Sequence, residues 1–99
     1  SATPAGVVIV DEGAARALRE RGASLLPKGI AGVRGAFAVG DVVTIETGDG
    51  RSIARGLSNL ASHEVERVRG LATDQLASTL GRRVHDEVVH RDNMVLLAV

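Results

Sequence analysis

Ninety-nine residues with twelve Lys or Arg against twelve Asp or Glu carry no net charge, so the chain as a whole lacks the electrostatic footprint of a nucleic-acid binder. A hydrophobic share of 44% beside 24% charged residues excludes a disordered polypeptide and fits one globular domain with a real core. Phe37 is the only aromatic, so that core must be built from Val, Leu, Ile and Ala; the absence of Cys excludes disulfides, thiolate metal sites and thiol nucleophiles and fits a cytoplasmic setting.

No stretch is long and apolar enough for a membrane span, and no signal peptide is visible. Residues 1–5, with Thr3-Pro4-Ala5 before Gly6, read as a linker, and the start at Ser1 is that expected of a piece of a longer protein. The domain proper is then 6–99.

GVVIV over 6–10 is a short apolar run, a strand expected to be buried on both faces. Asp11 has the character of a helix N-cap, and Ala14, Ala17 and Leu18 form a narrow apolar stripe over the helix Glu12–Arg21. Gly22 is placed to end it. Ser24-Leu25-Leu26 is read as the start of a second strand, held to an edge or bend by Pro27. The segment Leu25–Asp41 is unusually rich in glycine (Gly29, Gly32, Gly35, Gly40), which predicts tight corners of a small barrel.

DVVTIET over 41–47 alternates with Val43, Ile45 and Thr47 on one face. Gly48-Asp49-Gly50 predicts a hairpin, with a return strand Arg51–Leu57 whose Ile53 and Leu57 face together around Arg55. Two short helices follow, His63–Arg69 capped by Ser62 and Asp74–Leu80 capped by Thr73. Glu87–His90 and Met94–Leu97 are strand-like, separated by Arg91-Asp92-Asn93. The fold class is therefore mainly β with short α-helices, a small barrel with helical decoration.

Several fragments imitate chemical motifs and fail in context. His90-Arg91-Asp92 starts like a protein-kinase catalytic loop, but Leu97 stands where the metal-binding Asn is needed. Gly29-Ile30-Ala31-Gly32 and Gly32-Val33-Arg34-Gly35 match the GXXG of KH domains, yet the pattern around them is strand and turn. His85, Asp86, Glu87 and His90 form a loose cluster that could hold a metal only if the fold gathered it; a solvated turn is the plainer reading, and no metal site is assigned. Lys28, Arg34, Arg51 and Arg55 could make a local basic edge despite the zero net charge, with solvated surface charge as the default. No acid–base or nucleophilic set emerges, so the fragment alone carries no expected catalytic residues.

The ordered series from Val10 to Asp41, the DG hairpin, Ala54-Arg55-Gly56-Leu57-Ser58-Asn59 and Val88-Val89-His90-Arg91-Asp92-Asn93-Met94 resembles the C-terminal PUA domains of bacterial glutamate 5-kinases. Ser24–Ile30 (SLLPKGI) and the G-x-F-x-x-G-D run from Gly35 to Asp41 are common to PUA domains, and the match covers Gly6 to Leu97. Leu60 departs from the pattern, since the family often has an aromatic there, and this removes one stacking surface.

The resemblance implies a PUA-type mixed-sheet pseudobarrel, with Gly29, Gly35 and Gly40 as turns around Phe37 and with Asp41 structural. By PUA analogy RNA would dock on Ser24, Leu25, Lys28, Gly29 and Ile30, with Arg34 and Arg55 nearby. It also implies a partner in the same chain, an N-terminal amino-acid-kinase domain that uses ATP and magnesium to phosphorylate glutamate in the first step of proline synthesis. No cofactor is expected in the fragment itself, the parent enzyme is expected to be a homo-oligomer, and an accessory or regulatory role, RNA binding and a metal site remain the three readings, in that order.

Overall fold

The computed structural model describes residues 3–98. Of the expected linker 1–5, Ser1 and Ala2 lie outside the described residues, whereas the Ala5 N–H already donates to the Val42 carbonyl at 2.8 Å.

Strand β1 (Gly6–Val10) leads into helix α1 (Glu12–Arg21), and the chain then passes through a 3-10 turn at Pro27–Gly29 into β2 (Ile30–Gly35). The hairpin of β3 (Val42–Thr47) and β4 (Ser52–Leu57) follows, then α2 (Ser62–Val68), a 3-10 turn at Thr73–Gln75, α3 (Leu76–Leu80), a last 3-10 turn at Arg91–Asn93 and β5 (Met94–Leu96). The strands lie in the order β2-β1-β3-β4-β5, with β1 and β3 parallel and the other neighbours antiparallel. Leu25 and Val89, flanking the two edge strands, form one antiparallel bridge: the Leu25 N–H donates to the Val89 carbonyl and the Leu25 carbonyl accepts from Val88, both at 2.8 Å. That bridge draws the two edges together into the expected mixed-sheet pseudobarrel.

α1 forms for the local reasons the sequence offers. Asp11 caps it, its carboxylate accepting from the Ala14 N–H at 2.8 Å, and Gly22 ends it at φ 58°. Of the expected stripe Leu18 is fully buried and Ala14 packs half-buried against the core, Ala17 is half-buried, and Ala15, not expected, is the second fully buried residue. Full burial of Leu18 contributes about 1.5–3 kcal/mol.

The glycine-rich stretch is the largest difference from expectation. Between its corners lies a full strand, β2, paired with β1 from Gly6↔Gly35 to Val10↔Ile30. The strand expected at Ser24–Leu26 and the one at Glu87–His90 reduce to the single Leu25–Val89 bridge. Gly35 and Gly40 are true corners at φ 82° and 89°, but Gly29 is not: its φ is not positive, and it is required because a Cβ there would stand 2.5 Å from the Ala14 Cβ. Phe37 is buried, its N–H and carbonyl both engaged by the Ser62 hydroxyl, and Asp41 closes the turn by accepting from the Ala38 N–H at 2.8 Å.

In β1, Val8 and Val10 enter the core while Val7 and Ile9 are half-buried on the other face, so the strand is not buried on both sides as expected. In β3 the alternation holds, with Val43, Ile45 and Thr47 inside. In β4 it breaks. Ile45 faces Ala54 but Glu46 faces Ser52, so Ile53 is an extra residue in a β-bulge. Ile53, Ala54 and Gly56 therefore point inward, and Leu57, expected to share a face with Ile53, is exposed.

α2 begins one residue early, with Ala61 at its cap; Ser62, expected to cap, is spent on Phe37, and Glu64 accepts from the Ala61 N–H at 3.1 Å. Burial pushes the Glu64 carboxyl up, but the Ala61 N–H and the Arg82 guanidinium, 2.5 Å away, outweigh it and hold the group below the usual carboxylate range. The segment expected as one helix from Asp74 splits into a 3-10 turn and α3, with Ala72 rather than Thr73 at the cap. Leu60 is buried in the core, so a larger ring there would be a packing residue and not a stacking surface.

Candidate functional site

A groove of about 420 Å³ runs between α1 and the segment from Ala23 to Gly29. Its floor is apolar, formed by Ala14, Ala17, Leu18 and Leu25, and Leu26 stands exposed on its flank. Backbone contacts hold the two walls together. The Asp11 N–H donates to the Gly29 carbonyl at 2.9 Å, and the missing Cβ of Gly29 lets the loop seat against Ala14. Pro27 is buried and its carbonyl accepts from the Gly70 N–H at 2.8 Å, which ties the loop to the end of α2.

The polar equipment of the groove is sparse. Lys28 and Arg21 are exposed at its rim, and neither has an ion-pair partner among the described residues. The Ser24 hydroxyl accepts from the Arg91 N–H at 2.9 Å, and Asp11 is committed to the helix cap. Two unpaired cations over an apolar trough suit the holding of an anionic chain, through charge at the rim and contact along the floor.

Of the residues expected to bind RNA, Ser24, Leu25, Lys28 and Gly29 line this groove, while Ile30 is buried beneath it. Arg34 and Arg55 do not join them. They point to the outer face of the sheet, in one lateral row through Arg34↔Val7, Val7↔Thr44 and Thr44↔Arg55, and Arg34 is paired with Glu46 at 3.1 Å. Arg51 belongs to the hairpin turn, so the continuous basic edge expected from Lys28, Arg34, Arg51 and Arg55 does not form. Sequence reasoning missed Arg21 and the groove face of Ala14 and Ala17. The i, i+3, i+7 spacing of Ala14, Ala17 and Arg21 is the signal that could have found them.

The histidine cluster disperses. His90 Nδ1 accepts from the Asp92 N–H at 3.0 Å and its Nε2 lies 3.7 Å from Glu87, whereas His85 lines a separate pocket with Val39 and Arg83. Among the described residues no three His, Asp or Glu side chains gather to hold a metal ion. No helix among them is long and apolar enough to cross a membrane.

A parallel β1–β3 pair inside an otherwise antiparallel five-strand sheet, closed by a bridge across its edges with a helix inserted after the first strand, is a PUA architecture. The PUA domain profile matches residues 6–80, and the chain belongs to that family. Its curated relatives are more particular: it is similar to the glutamate 5-kinase of Caldanaerobacter subterraneus subsp. tengcongensis, 51% identical over 92 residues and 93% of this chain. It is likewise similar to that of Streptomyces coelicolor, 48% identical over 97 residues and 98% of this chain. The chain spans only about a quarter of the length of these relatives, 25% and 26%.

Among solved structures, a PUA domain from Aeropyrum pernix in a tartrate complex superposes with a TM-score of 0.62 at 29% identity, covering 87% of this chain and 41% of that one. An archaeal box H/ACA sRNP Nop10–Cbf5 complex gives a TM-score of 0.58 at 25% identity, covering 88% and 25%.

Proposed function

We propose that this chain is the C-terminal PUA domain of a glutamate 5-kinase and serves that enzyme as an accessory, regulatory module. The observation that carries the reading is identity of 43–51% to glutamate 5-kinases over nearly all of the chain, while only a quarter of each relative is matched. The catalytic work then belongs to the remainder of the parent, an amino-acid-kinase domain that holds ATP and magnesium and phosphorylates L-glutamate to glutamyl 5-phosphate at the head of proline synthesis, in the cytoplasm and as a homo-oligomer. The parent enzyme is assayed with and without residues 1–99. Altered metal dependence or proline inhibition is the expected result, and unchanged kinetics, metal dependence and inhibition would refute a regulatory role.

A second reading, an RNA-binding module, is favoured by one observation: the groove beside α1 pairs an apolar floor with the unpaired cations Lys28 and Arg21. The structural similarity to a protein within an sRNP complex supports it by analogy only. Structured RNA titrated at low and moderate salt tests it. Lys28→Ala should weaken binding across sequences and lower the salt slope by about one. No binding at low salt, or binding indifferent to Lys28 and Arg21, removes this reading.

A further inference from the structure

The sheet of this domain has an outer face whose composition does not suit water. An antiparallel sheet with one solvated face alternates apolar-in and polar-out. Here the outward positions include Val7, Ile9, Val42, Leu57 and Val95, of which Leu57 is 41% and Val95 67% exposed. The pairing places them side by side: Val42 opposes Leu57, and the next row runs Val7, Thr44, Arg55, Val95 across four strands. The helices contribute their buried residues to the opposite face, in one core with Val8, Val43 and Ile45. Arg55 stands between Thr44 and Val95 in that row and two residues before Leu57, exposed and without an ion-pair partner among the described residues, in contrast to Arg34, which Glu46 neutralises. An unpaired Arg beside two exposed aliphatics is the composition of an interface centre, with the guanidinium as anchor.

We propose that this outer face is where the rest of the parent kinase chain docks, presenting a carboxylate to Arg55 and apolar side chains to Leu57 and Val95. The proposal rests on the reading of the chain as a glutamate 5-kinase domain. Two further observations select this occupant. Three quarters of the length of the matched relatives lies outside the chain, so a large surface is available in cis. The chain also enters the sheet at the Val42–Leu57 end of the face, where the Ala5 N–H donates to the Val42 carbonyl at 2.8 Å.

The test uses the full-length parent, assayed first for glutamate phosphorylation. A photoreactive amino acid is then placed at Val95, at Leu57 and, as control, at exposed Glu12 on α1, and the crosslinked peptides are identified by mass spectrometry. The expected result is crosslinking from Val95 and Leu57 to the kinase part of the same chain and none from Glu12. Arg55→Ala should lower that yield about ten-fold, as loss of one central anchor does, and Arg55→Lys should restore part of it. Because Arg55 makes no contact with the core of residues 3–98, a lost crosslink in a variant that still phosphorylates glutamate reports docking and not folding. An active enzyme that gives no crosslink at Val95 and Leu57, or crosslinks only to residues 1–99 of a second copy, overturns the docking proposal alone. A parent that does not phosphorylate glutamate overturns the proposed function, and this inference with it.

Discussion

Gly29 offers the sharpest test of the physical account, because its need for glycine is steric and not conformational. Its φ is ordinary, yet a Cβ would fall 2.5 Å from the Ala14 Cβ and 3.6 Å from the Ala14 Cα. Real Cβ contacts are essentially never closer than 3.0 Å, and the opposing atom is fixed to the backbone of α1, so it cannot swing away. Gly29→Ala must therefore push the loop off the helix and strain the bond from the Asp11 N–H to the Gly29 carbonyl. Overpacking of this kind costs about 1–3 kcal/mol. For a domain of this size that lowers the melting temperature by about 4–8 °C for each kcal/mol. Gly29→Val should cost more.

The decisive assay is a double-mutant cycle by urea denaturation. Ala14→Gly alone costs about 1 kcal/mol of helix propensity, but it removes the atom that Gly29→Ala strikes. The double variant should then be more stable than the sum of the single effects by about 1–2 kcal/mol. If Gly29→Ala matches the parent in stability, or the two changes simply add, the contact with Ala14 does not require glycine at this position.

The Ala61 N–H and then the Arg82 guanidinium outweigh burial and hold the folded pKa of Glu64 below its ordinary value of 4.5, so the stability they lend is fully present above about 4.5 and is lost as pH falls through the folded value. Glu64→Gln should flatten the acid limb of the stability–pH curve, and an unchanged limb would count against these bonds to the carboxylate. Ile53→Ala should cost about 2–5 kcal/mol and Leu57→Ala far less, because the bulge turns one inward and the other out; equal costs in urea titrations would contradict that register. Asp11→Ala should cost about 0.5–2 kcal/mol through loss of the α1 cap, seen as a lower melting temperature and faster amide exchange at Ala14.

What the sequence determined by itself was local. Asp11 and Gly22 bound α1 because cap chemistry depends on neighbouring backbone alone, and the hairpin around Gly48-Asp49-Gly50 follows from a glycine turn after an alternating run. The motif runs were legible too, and they led to the PUA pseudobarrel. β2 was not, since its glycines hide the alternation and its strand character comes from pairing with β1. The candidate groove was half legible: Ser24 to Gly29 could be read from the motif, but Arg21 joins them only because α1 lies against that loop.

Tertiary structure alone decided three things. The bulge at Ile53 reversed which residues of β4 face the core, because one unpaired residue shifts a period-two pattern. Cross-strand register carried Arg34 and Arg55 away from Lys28 and set Arg55 between Thr44 and Val95, residues far apart in the chain. And Gly29, which reads as a corner, is a contact: the space it must leave empty belongs to Ala14, fifteen residues earlier, and only the folded chain brings the two together.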